Sequence, residues 1–169
     1  MRVQGIRGRW KTPQGLFVTY EPNSIGVSTV PRSVRIMTGA RGHFRLANLS
    51  SRGVAGGGAD ALIIGFVLSG PGTTPCLLRG IGPALASFGV QGADPNPGLE
   101  LYRGEQRLTQ NDDWSTAEGS IATMAEKVGA FALPAQSRDA ALGPSLDAGA
   151  YTMVLRSQGA NSGVVLGEV

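Results

Sequence analysis

Apolar residues in this chain recur most regularly at every second position. In "GLELYRG", Leu99 and Leu101 share one face and Glu100 and Tyr102 the other; a turn at Arg103-Gly104-Glu105 then returns the chain through "QRLTQ", which predicts a hairpin. "GAYTMVLRSQG" sets Tyr151, Met153 and Leu155 against Thr152, Val154 and Arg156, and together with "DAALGPSL" and "SGVVLGEV" it predicts three closing strands. Upstream, "FRLANLS" alternates around Phe44 and Leu46, "SRGVAGGGAD" reads as a glycine-rich loop, and "TTPCLLRGIG" as a further strand. "ALIIGFVLSG" is apolar on both parities, the pattern of a strand buried on both faces. Two stretches leave the two-residue rhythm. "PALASFG" predicts a single helical turn begun by Pro83 and ended by Gly89. Ile121, Met124, Ala125 and Val128 follow helical spacing up to Gly129, and Ser115 with Glu118 has the spacing of a capping box. Turn signals recur about every ten residues, so the expected fold is all-β: a β-sandwich of jelly-roll character with one short helix.

Composition agrees with many short strands joined by tight turns. Glycine accounts for 26 of 169 residues and proline for 10, while charged residues make up only 16%. The net charge of +3 is unevenly placed. Residues 1–40 hold six basic side chains and one acidic; the remainder is slightly acidic. The chain thus divides into a basic N-terminal extension over residues 1–43, with weak strand signals in "LFVTY" and "SIGVSTV", and a β-sandwich module over residues 44–169. The arginines of the extension have no interleaved aromatic platform, which argues against nucleic acid as a partner. No segment is long and apolar enough for a membrane span, and the N-terminus lacks the apolar stretch of a signal peptide.

One cysteine, Cys76, and one histidine, His43, restrict the available chemistry. Cys76 lies in the apolar run "PCLLRGIG" and reads as a buried structural thiol. A Ser-His-Asp set has only His43 to use, and no G-x-S-x-G elbow is present. The loop "GVAGGGAD" lacks the lysine and Ser/Thr of a phosphate-binding loop. The densest polar feature is "TQNDDWSTAEGS". Asn111, Asp112 and Asp113 can supply two or three oxygens to a divalent cation, with Asp94 or Glu100 adding more across the hairpin; calcium suits such oxygen ligands. The same residues also make a good turn and helix entry without any metal. Adjacent Asp112 and Asp113 point apart in an extended strand and so make a poor glycosidase-type pair. If the chain is a hydrolase, a cation at Asp112 and Asp113 polarising an ester or lactone carbonyl is the available route. Arg79, set in an apolar strand, requires a carboxylate, and Asp139 is the first candidate. Trp114 is placed to plug the core edge where hairpin meets helix.

The segments "RLANLSSRG", "IIGFVLSG", "LLRGIGPALASFGV", "DPNPGLELYRGEQRLTQNDDW", "FALPAQSRDAAL" and "LDAGAYTMVLRSQGANSGVVLGEV" resemble a module that recurs, often near the C-terminus, in large exported proteins of environmental bacteria. More distantly, the second half is similar to bacterial pre-peptidase C-terminal domains, small β-sandwiches attached to secreted enzymes. Asp94, Leu99, Leu101, Leu108, Asp112, Asp113, Ala148, Gly149, Tyr151 and Val154 stand near the matching places. In those domains acidic positions often hold calcium; this chain departs from the pattern at "ADPNPGLE", where only Asp94 and Glu100 are acidic. The resemblance implies an extracellular or cell-surface location and a non-catalytic, calcium-stabilised accessory or adhesion module with a glycan or cell-surface ligand. The alternatives are a small metal-dependent hydrolase of esters or lactones and a self-associating structural unit whose edge strands pair between copies.

Overall fold

The computed structural model describes residues 8–11, 17–20, 36–37, 48–160 and 162–169. Two compact units divide the chain at Leu46 and Ala47. In the first, β1 (Gly8–Lys11), β2 (Phe17–Tyr20) and β3 (Ile36–Met37) form an antiparallel sheet in the order β1-β2-β3. "SIGVSTV", like His43, lies outside the described residues.

The second unit carries β4 (Ser50–Ala55), β5 (Leu62–Leu68), β6 (Thr74–Pro75), β7 (Leu78–Ile81), β8 (Pro97–Arg103), β9 (Gln106–Asn111), α1 (Glu118–Val128), β10 (Ala140–Leu142), β11 (Ser145–Leu146), β12 (Gly149–Ser157) and β13 (Gly163–Glu168). Its antiparallel pairs are nested: β8 with β9, β7 with β10, β6 with β11, β5 with β12 and β4 with β13. The second unit is thus one long hairpin, closed at Gly104 and wrapped so that its arms fall into two four-stranded sheets. These have the orders β4-β13-β7-β10 and β5-β12-β8-β9. Eight strands in that wrapping make a jelly roll, the all-β sandwich with one short helix that the alternation predicts.

Between the sheets, Ile64, Leu78, Leu99, Leu101, Met153, Leu155 and Val165 form the central core. A second core lies on the outer face of the β4-β13-β7-β10 sheet. There Ile81 and Ala141 meet Leu85, Trp114, Ile121, Ala125 and Leu133, so the helix and its flanking segments form a third layer. Ile121 and Ala125 are buried as the helical spacing predicts, whereas Val128, at the helix end, is exposed. Gly129 stops the helix in the left-handed region, at φ 70°. Residues Pro83–Phe88 make a 3-10 turn ended by Gly89, also left-handed.

Two strand assignments differ from the sequence pattern. The strand buried on both faces is β7, which sits inside its sheet and under the helical layer, with all four residues buried. The apolar run of β5 instead occupies a sheet edge: Ile64 faces the core while Ile63 is 50% and Val67 74% exposed. In addition, β4 lies within the first half of what reads as a glycine loop. It is fixed there by its ladder to β13, from Ser50 opposite Glu168 to Ala55 opposite Gly163.

Candidate functional site: the 92–96 turn and the 111–113 corner

The chain crosses from one sheet to the other through the turn before β8. Ala93 forms a parallel bridge with Val164, Asp94 N–H donates to Val164 O (2.9 Å), and Val164 N–H donates to Gly92 O (2.7 Å). The Asn96 N–H donates to Asp94 Oδ1 (2.8 Å), and Asn96 O accepts from Gln158 N–H (2.9 Å). Asp94 is therefore held at its N–H and at one carboxylate oxygen. This close packing needs glycine twice. A Cβ at Gly163 would stand 2.5 Å from Asp94 Cα, and one at Gly82 would overlap Asp94 O.

The other carboxylate oxygen is unpaired. Asp94 is 0% exposed, yet its Oδ2 has no hydrogen-bond donor, and Asn96 Oδ1 in the same turn is likewise buried and unpartnered. Leaving a buried carboxylate oxygen unmatched costs about 1–3 kcal/mol or more, which sets these two oxygens apart from well-satisfied turn residues. Oxygen-only donors, one of them anionic, suit a hard divalent cation, with backbone carbonyls and water completing the shell.

The other sequence-predicted residues are dispersed. Asn111 ends β9, where its Oδ1 accepts from Ala141 N–H (2.9 Å) and its Nδ2 donates to Asp113 O (3.0 Å) and Thr116 Oγ1 (3.1 Å). Its amide ties the corner to β10. Asp112 is exposed; Asp113 is half-buried, and its Oδ1 is a third unpartnered buried oxygen. Glu100 lies on the opposite face of the β8–β9 ladder from Asn111, since Asn111 pairs with inward-facing Leu99 and strand residues alternate. There Glu100 accepts from Arg107 Nη1 (2.9 Å) and Tyr102 Oη (3.1 Å), with Arg156 Nε at 3.6 Å. Burial raises its pKa, but these donors and the two guanidinium charges outweigh that and hold the carboxyl below its ordinary value. Among the described residues, no group of three or more His, Cys, Asp or Glu side chains gathers to hold a metal. Of the set Asn111, Asp112, Asp113, Asp94 and Glu100, the ladder places Glu100 on the face away from Asn111, and the unspent buried oxygens belong to Asp94 and Asp113, with Asn96 beside Asp94 in the turn.

Local sequence missed two further roles. Arg79 pairs with Glu168, not Asp139: its Nε donates to Glu168 Oε2 (2.8 Å), Nη2 reaches the same oxygen, and Nη1 donates to Phe131 O (2.6 Å). The reason is register, because Arg79 stands directly opposite Glu168 in the β7–β13 ladder. Asp139 is spent elsewhere. Its Oδ1 accepts the N–H groups of Gly82 (2.8 Å) and Ala84 (3.3 Å) at the start of the 3-10 turn, and its Oδ2 accepts from Ser137 Oγ (2.6 Å). Trp114 is buried as expected and donates its indole N–H to Pro134 O and Ser137 Oγ, both at 3.1 Å. At the helix entry, Thr116 donates from its N–H and its Oγ1 to Asp113 O; the side chain of Glu118, the second member of the expected capping box with Ser115, lies outside the described residues. Cys76 is buried with its thiol against Thr74 O, and burial pushes its pKa up, the opposite of what a nucleophile needs. Among the described residues, no helix is long and apolar enough to cross a membrane.

Compared with protein-family models, with curated proteins and with solved structures, the chain finds no match in any of the three.

Proposed function

We propose that the jelly roll is a non-catalytic accessory or adhesion module of an exported bacterial protein, stabilised by a calcium ion at the 92–96 turn. The observation that carries this reading is the pair of buried, unpartnered oxygens, Asp94 Oδ2 and Asn96 Oδ1, in the turn that links the two sheets. Asp94 and Asn96 would hold the cation, which would supply charge compensation and a rigid crossing between sheets rather than chemistry. Asp113, with its own unpartnered oxygen, is the remaining acidic candidate from the 111–113 corner. The accessory role is supported by the resemblance of residues 44–169 to modules of large exported proteins, and a glycan or cell-surface ligand is the partner that resemblance implies.

Thermal melts in calcium and in chelator test the metal. At a calcium concentration one hundred times Kd, binding contributes about 2.7 kcal/mol, a rise of roughly 10 °C for a unit of this size. Asp94→Asn keeps the acceptor for Asn96 N–H but removes the charge, so the calcium-dependent rise disappears in that variant. Asp112→Ala, at the exposed position, keeps it. Identical midpoints with and without calcium would remove the cation from the reading.

A further inference from the structure

A cavity of about 230 Å³ opens between α1 and the 130–135 segment, over the outer face of the β4-β13-β7-β10 sheet. Its buried lining is Arg79, Trp114, Ile121, Ala125 and Leu133; Ala122 and Glu126 line it where the helix surface is exposed. We propose that this cavity binds a compact apolar group bearing a neutral carbonyl oxygen, such as the amide or ester of a small aromatic or branched acyl unit.

The size and lining set the apolar part. A cavity of about 150 Å³ admits benzene, so this one has room for a ring and a short substituent. The Trp114 indole N–H is already committed to Pro134 and Ser137, so this residue contributes hydrocarbon ring rather than a donor.

Arg79 sets the polar part. A guanidinium has five N–H donors, and three are engaged: Nε and one on Nη2 with Glu168, and one on Nη1 with Phe131 O. The second hydrogens of Nη1 and Nη2 have no described acceptor, although the side chain is only 2% exposed. The ring of Phe131 covers one guanidinium face at 4.4 Å, which leaves the edge donors as the polar contact. Glu168 already balances the charge of Arg79, and Glu126 adds a negative charge at the opening, so the matching acceptor is neutral rather than anionic.

The test is a titration of phenylacetamide into the full chain carrying Trp10→Phe, which leaves Trp114 as the sole indole; its N–H resonance is the readout. A saturable shift is expected. Propylbenzene, which lacks the carbonyl, binds roughly 10- to 100-fold more weakly, as the loss of one hydrogen bond to a charged donor implies, and phenylacetate also binds more weakly than the amide. Ala122→Leu and Ala135→Leu, both at exposed lining positions, fill the opening and abolish the shift while the melting midpoint is kept. No saturable shift at millimolar phenylacetamide, equal affinity for propylbenzene, tighter binding of phenylacetate, or unchanged binding in both filled variants overturns the proposal.

Discussion

Glu168→Gln removes the charge that compensates Arg79 while keeping the shape of the side chain. Arg79 is 2% exposed and Glu168 13%, so the guanidinium would stay buried with an amide in place of its counter-ion. Breaking a buried pair by removing one partner costs about 3–5 kcal/mol, and the slight exposure of Glu168 places the expected loss near the lower end. Urea unfolding checks this, and a loss under about 1 kcal/mol would mean that Arg79 finds another acceptor. Glu100 predicts a pH dependence instead. Its folded-state pKa is lowered by Arg107, Tyr102 and Arg156, so the stability it contributes is fully present above its unfolded value of about 4.5 and is lost as pH falls through the lower folded value. Melts of Glu100→Gln should therefore show a shallower decline below pH 4.5 than the parent chain. An identical acid limb would show that the ion pairs on that sheet face do not couple to folding.

Elements were legible where their cause is local and obscure where it is not. The β8–β9 hairpin, the alternation of β12, the helical spacing of Ile121 and Ala125, and the stops at Gly89 and Gly129 follow from periodicity and backbone conformation, and the fold contains each of them. Which strand lies inside a sheet depends on ladder order, and periodicity does not encode that. Hence the apolar run of β5 went to an edge and the short β7 to the doubly covered position, while Arg79 found its acid at the far end of the chain. The candidate site was half legible. Asp94 belongs to the acidic set, but Asn96 is marked only by an unpartnered oxygen that tertiary burial creates. The strand start at Gly163 supplies an element-scale prediction. Gly163→Ala would drive its Cβ against the Asp94 backbone, 2.5 Å from Cα and 2.7 Å from N, whereas Gly167→Ala would press on the flexible ends of Ile64, Leu155 and Met153. Overpacking against side chains costs about 1–3 kcal/mol, and backbone cannot rotate away, so Gly163→Ala should be the more destabilising of the two. The reverse order in chemical denaturation would mean that the 92–96 turn is loosely held.

At the scale of the molecule, nested pairing sets the order in which contacts become affordable to the chain. The β8–β9 hairpin joins neighbours in sequence, and each pair outward from it closes a longer loop until β4 meets β13 across nearly the whole unit. Loop closure must be met before long-range pairs return any stability, so topologies of this kind fold slowly, in milliseconds to seconds. The transition state should accordingly hold the inner pairs and not the outermost. Gly104 has φ 59°, a conformation that costs a side-chain-bearing residue about 1–2 kcal/mol, so Gly104→Ala weakens the turn of the innermost hairpin. Val165→Ala removes a fully buried contact at the outermost pair, a change of about 1–3 kcal/mol. The first substitution is expected to slow refolding with little change in unfolding rate; the second should speed unfolding and leave refolding nearly unaltered. Stopped-flow chevrons on both variants separate the two arms. Equal effects on refolding would mean that β4 and β13 are already paired at the barrier and that the wrapping closes in one step rather than outward from the turn.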